Sequence, residues 1–141
     1  MDYTQILSIS AVGMTLERTR LEAAALNLAN ADSRVSNPNQ VYRPKKVFAA
    51  AVSSADMANV LTAQQQTALP QMVESSVPPK AIHDPSDPRA NSAGFVYVPD
   101  INPVEEMLAV MAATRSYEAN VRVMESSRTM LLRALEIGSG R

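Results

Sequence analysis

Eight of the nine prolines lie between positions 38 and 99, and the ninth is Pro103. Proline removes a backbone donor and clashes with the preceding turn, so long helices are confined to the two ends of this chain. The middle must be built from short strands and turns.

At the N-terminal end the spacing predicts one helix from about Tyr3 to Asn30. Leu7, Ala11, Met14, Leu21, Ala25 and Leu28 follow alternating four- and three-residue steps, interrupted at Arg18. A second stripe of Ile6, Ile9, Gly13, Leu16 and Ala23 runs beside it, which widens the apolar face beyond a two-stranded seam. The second helix opens at "INPVEEM": Asn102 can cap, Pro103 suits the first helical position, and Glu105 stands where a capping box wants an acid. Met107, Val110, Thr114, Tyr117, Val121, Met124, Leu131 and Leu135 keep the same steps, with Arg128 as the exception, until Gly138. At 1.5 Å per residue this helix is about 50 Å long, well beyond an average globular helix. Its other side, Ala109, Ala113, Ser116, Val123 and Ala134, is small enough for a further close neighbour.

Between the helices "KVFAAAV", "QMVESSV", "KAIH" and "GFVYV" read as short strands separated by turn-rich tracts. The run from 53 to 70 is Gln- and Ala-rich with weak periodicity, and reads as a loop with a short helix at Met57 to Ala63. The expected fold is mainly α with a small β-rich insert: an N-terminal helix over 1–31, a β-rich and loop-rich segment over 32–101, and a C-terminal helix over 102–141. The two long helices are expected to pair in a coiled-coil-like manner as one helical domain.

The residue supply argues against an enzyme. With 2 Phe, 4 Tyr and no Trp, the chain can build only a thin core alone, so burial against other subunits is expected. No cysteine is present, which removes disulfides and thiol chemistry. The single histidine, His83, lies in "IHDPSDP" beside Asp84 and Asp87, where the prolines favour a turn over a metal site. Glu105 and Glu106 point about 100° apart on a helix and complement its dipole rather than facing each other. Six methionines, at 57, 72, 107, 111, 124 and 130, read as adaptable packing without histidine or cysteine beside them. Glycine-rich phosphate loops and nucleophile elbows are absent from the sequence. No cofactor, metal or small-molecule substrate is expected.

Net charge is −1, and the basic "VYRPKK" is too short to carry a nucleic-acid footprint. The N-terminus lacks a basic region followed by an apolar run, so no cleaved leader is expected, and no apolar stretch is long enough to span a bilayer. "RSYEANVRV", 115 to 123, places Arg115, Glu118 and Arg122 at spacings that allow weak surface ion pairs. At the end of the first helix, Asn27 is read as able to bond a neighbouring chain, while Asn30 and Asp32 are read as ending the helix by tolerating a left-handed turn and bonding local backbone groups.

Four strings, "NLANADS", "YRPKKVF", "GFVYVPDINPVEEM" and "RSYEANVRV", occur in an order that resembles the bacterial flagellar axial and rod proteins over nearly the whole chain. "NLAN" is shared widely among axial proteins; "IHDPSDPRANSAGFVYVPDINPVEEM" is more discriminating and points to the short rod proteins. The resemblance implies a structural subunit of the proximal rod, exported unfolded by the flagellar type III machinery and placed in the periplasm. Its implied partners are copies of itself, other rod proteins, and membrane-ring and export-apparatus neighbours. On this reading the assembly interface falls on Leu7, Met14, Leu21, Asn27, Leu28, Met107, Val110, Tyr117, Val121, Met124, Leu131 and Leu135. Asn30, Tyr42, Arg43, Arg115 and Asn120 are the candidates for subunit recognition. The alternatives are another short axial protein of the same rod, or a soluble coiled-coil adaptor or chaperone.

Overall fold

A computed structural model describes residues 3–48 and 70–138. Two long helices, α1 (Tyr3–Asn30) and α2 (Pro103–Gly138), flank four short strands, β1 (Lys45–Phe48), β2 (Gln71–Glu74), β3 (Lys80–His83) and β4 (Phe95–Val98). α1 ends before the first proline, Pro38, and α2 opens on the last, Pro103, at the one helical position that tolerates it well. The tract from 53 to 69, with its expected short helix, lies outside the described residues.

The start of α2 is built by its cap. Asn102 Oδ1 accepts from the Val104 N–H at 3.1 Å, and Glu105 reaches back to the Asn102 side-chain amide at 3.0 Å. One orphan donor of the first turn is thereby satisfied. The end of α1 differs from the left-handed turn expected at Asn30 and Asp32, because no non-glycine residue among those described has a positive φ. The chain tightens instead, with Ala31 N–H donating to Leu28 O and Ser33 N–H to Asn30 O, and the local backbone bond expected of Asn30 does form, from Nδ2 to Leu26 O at 2.8 Å. Short-range bonds and one side-chain amide occupy these carbonyls, so a left-handed residue has nothing left to satisfy there.

β1 pairs antiparallel with β2, Lys45 opposite Glu74, and β3 pairs antiparallel with β4, Lys80 opposite Val98. A bridge from Val35 to Tyr97 ties the exit of α1 to β4, and Val96 beside it is wholly buried. The connection from β3 to β4 turns at Gly94, whose φ of +77° suits glycine and where a Cβ would crowd Pro85 at 3.1 Å and His83 at 3.2 Å.

The helices pack along one another and run in opposite directions: Asn27 meets Glu106 near one end, and Gly13 meets Asn120 further along. The buried hydrophobic residues are small, Ala23, Ala24, Val41, Val96 and Ala113 among those described. Ser10, Glu17, Asn27 and Ser127 are buried beside them. On α1 the deepest line is therefore Ser10, Glu17, Ala24 and Asn27, one position around from the stripe that hydrophobicity picks out. Small residues let helix backbones approach closely, and the larger Leu7, Met14, Leu21 and Leu28 sit half-buried alongside.

Candidate assembly interface

The outer face of α2 carries what the inner seam lacks. Val104, Met107, Leu108 and Met111 follow steps of three, one and three, the spacing that gathers residues on one side of a helix. All four are between 53% and 64% exposed, on the side turned away from the line Glu106, Val110 and Ala113 that meets α1. Further along, Val123, Met130, Leu132, Leu135 and Ile137 are exposed as well. Scattered exposed apolar residues are ordinary, but a contiguous helical patch of this size marks a surface awaiting a partner.

Where α1, α2 and the insert meet, Asn27 holds them together. Its side chain is 2% exposed. Nδ2 donates to Lys45 O at 2.9 Å and to Glu106 Oε1 at 3.1 Å; Oδ1 accepts from Lys45 N–H at 2.8 Å and from the Tyr42 hydroxyl at 3.0 Å. Both donors and both acceptors of the amide are occupied. The amide meets Lys45 as a neighbouring strand would, so this one side chain ties the start of β1 to the helix pair. Burial, and then the carboxylates of Glu106 and Glu74, push the Tyr42 phenol above its ordinary pKa of 10.0, which keeps it a donor.

Beside this node lies a groove of about 450 Å³, floored by Ala23, Ala24, Ala109, Ala112 and Ala113 and walled by Val47 and Phe48. Phe48 is more than half exposed at its edge. Arg20, Lys45, Lys46 and Glu106 complete its lining, so the groove sets an alanine floor beside a charged rim.

Among known proteins, the flagellar basal-body rod protein FlgC of Escherichia coli O6:H1 is 36% identical to this chain, over 98% of this chain and 99% of that protein. The chain belongs to the FlgC family of flagellar basal-body rod proteins. The FlgC proteins of Bacillus subtilis strain 168, at 32% identity over 94% of this chain and 95% of that one, and of Aquifex aeolicus, at 34% over 96% and 97%, agree. Residues 92–137 also match the model of the flagellar basal body rod FlgEFG protein C-terminal family. This family is one of structural components of the flagellar rod, so the surfaces that matter are those that meet other subunits.

The residues singled out from sequence fall into three groups within this family fold. Asn27, Tyr42, Asn30 and Asn120 have partners in their own chain; Asn120 Nδ2 donates to Ser116 O at 3.0 Å. The bond from Asn27 to a neighbouring chain is thus replaced by four bonds within its own. Val110, Val121, Met124 and Leu131 are half-buried, whereas Met107, Tyr117, Leu135, Arg43 and Arg115 are exposed. Arg115, Glu118 and Arg122 form no ion pair with one another, since holding two long exposed side chains together gains little in water. Leu108 and Val104 were missed by the four-three stripe because they lie off its line; their signal is the local grouping with Met107 and Met111.

His83 packs edge-on against Phe95, with ring centroids 4.9 Å apart. Asp84 accepts from Ser86 Oγ at 2.6 Å, and Asp87 accepts from Arg89 Nε at 3.1 Å and Arg34 Nη1 at 3.2 Å. Both carboxylates are engaged in the turn and in its tie to the exit of α1. Hydrogen bonds from the Arg89 side chain and backbone, with Arg34 adding to them, hold the Asp87 carboxyl at about 2, against an ordinary 3.8. A depressed carboxyl contributes stability above its unfolded pKa and loses it as pH falls through the folded value. The contribution of this turn is therefore expected to be complete above about pH 4 and to fade toward pH 2. A carboxyl chemical-shift titration of Asp87 checks this, and a midpoint near 3.8 would show that the arginine contacts do not form in solution.

Proposed function

We propose that this chain is a subunit of the proximal rod, polymerising through its terminal helices to help form the drive shaft between the membrane ring and the distal rod. Residues 1–31 and 102–141 form the inner helical domain as a coiled-coil-like pair, and 32–101 faces outward. The observation that carries this reading is the inverted distribution of apolar bulk: small residues between the helices and large ones outside. Such a subunit completes its burial only against neighbours, so ordering of the chain is offset most fully at the site of assembly. The interface then runs along the outer face of α2 and the flank of α1 bearing Leu7, Met14, Leu21 and Leu28. Arg43 and Arg115, both exposed, are available for recognition of adjoining subunits. The chain reaches the periplasm through the flagellar type III apparatus, and its neighbours are copies of itself, other rod proteins, the membrane ring and the export apparatus.

Deletion of the gene, with a complemented control, tests the assignment. Cells are expected to lose motility and to retain the membrane ring without a rod above it in images of the envelope. Intact rotating flagella in the deletion strain would overturn the assignment.

A further inference from the structure

A seam of alanine, serine and glycine brings helices close but contains few large side chains to stop them sliding. Two contacts in this seam are of another kind. At one, the buried Asn27 amide donates to Glu106 Oε1 at 3.1 Å. At the other, Asn120 occupies the space that glycine leaves open: a Cβ on Gly13 would stand 2.9 Å from Asn120 Nδ2 and 3.0 Å from Oδ1.

Fourteen positions separate Gly13 from Asn27, and fourteen separate Glu106 from Asn120. On antiparallel helices the two contacts therefore match in the same alignment, about 21 Å apart along the axis. The nearest slip that returns the same faces to the seam is seven residues, or about 10 Å. In one direction it sets Asn27 opposite Ala113 and Asn120 opposite Arg20; in the other it carries Asn27 past the start of α2 and sets Asn120 against Ile6. Either slip strips the Asn27 amide of its carboxylate and puts the bulk of Asn120 onto a side chain. A buried polar group without its partner is costly, and a single polar position in a helix seam can fix alignment for that reason.

We propose that the Asn27–Glu106 and Gly13–Asn120 contacts form a two-point register lock for α1 and α2. The lock sets the height of the outward Val104, Met107, Leu108 and Met111 patch relative to the insert, because Asn27 also holds Lys45 of β1. It holds for the chain whatever the patch contacts.

The absence of native cysteine allows a clean test. Spin labels are placed on the full chain at the exposed positions of Arg18→Cys and Thr129→Cys, and their separation is read by pulsed electron paramagnetic resonance. The otherwise unchanged chain is expected to give one narrow distance. Removing both points of the lock with Glu106→Ala and Asn120→Ala leaves the Tyr42 and Lys45 bonds of Asn27 in place, and is expected to add a population displaced by about 10 Å along the axis. Asn27→Leu with Asn120→Ala should give a larger displaced fraction. A single unchanged distance in the Glu106→Ala, Asn120→Ala chain, with helical circular dichroism intact, would overturn the lock. A broad distribution in the otherwise unchanged chain would overturn it too, since the contacts would then fail to hold even the native alignment.

Discussion

Asn27→Leu is expected to destabilise the folded chain by about 3 kcal/mol, a large effect for one conservative change of volume. Leucine fits a helix at least as well as asparagine, so the loss does not come from helix propensity. It comes from the groups left behind: the Lys45 N–H and C=O, the Tyr42 hydroxyl and the Glu106 carboxylate all lose a partner around the buried Asn27 position. Each abandoned buried polar group costs about 1–3 kcal/mol, reduced where water can re-enter, as at the part-exposed Tyr42 and Glu106. Urea unfolding gives the magnitude, and hydrogen exchange at the Lys45 amide locates it. A shift below about 0.5 kcal/mol, with Lys45 still protected, would mean that the node does not hold β1 to the helices.

The second large effect is expected to spare the monomer. Leu108→Glu combined with Met111→Glu alters side chains that are already 60% and 53% exposed, so stability should stay within about 0.5 kcal/mol per site. In an assembled rod the same changes would bury two unpaired carboxylates against apolar neighbours. Central interface residues commonly carry about 2 kcal/mol or more each, so assembly should fall by well over tenfold. Swimming in soft agar and the yield of rod-bearing basal bodies measure this, with Ser36→Glu in an exposed loop as the control. Normal motility and normal basal-body yield in the double variant would remove the outer face of α2 from the interface.

Much of this fold was legible in the sequence because its punctuation is strong. Proline density bounded the insert, Asn102 and Pro103 placed the start of α2, and the β-type runs lie where the four strands form. The depth of burial was less legible. A stripe chosen by hydrophobicity favours Leu7, Ala11 and Met14, yet the closest approach is made by Ser10, Gly13, Ala24 and Asn27. In a seam this tight, size and satisfied hydrogen bonds outrank apolar character, and a pattern of apolar letters cannot express either. Asn27 stood out as a polar residue inside a helix, but its partners are 15, 18 and 79 positions away, and no local spacing reveals them. Arg34 escaped notice for the same reason, since its ties to Asp84 and Asp87 cross 50 and 53 positions.

The alanine-lined seam has a calorimetric consequence. The heat-capacity change of a protein transition follows the apolar area that moves into or out of water. The hydrophobic side chains closed off between α1 and α2 are alanines, the larger ones beside them are only half-buried, and Leu108, Met111, Met130, Leu135 and Ile137 stay wetted. The heat-capacity signature of this subunit therefore divides unevenly: a shallow term for unfolding the isolated chain, and a steeper one for joining the polymer. Its association should thus strengthen on warming over the range where the hydrophobic term is entropic, while its own fold changes little.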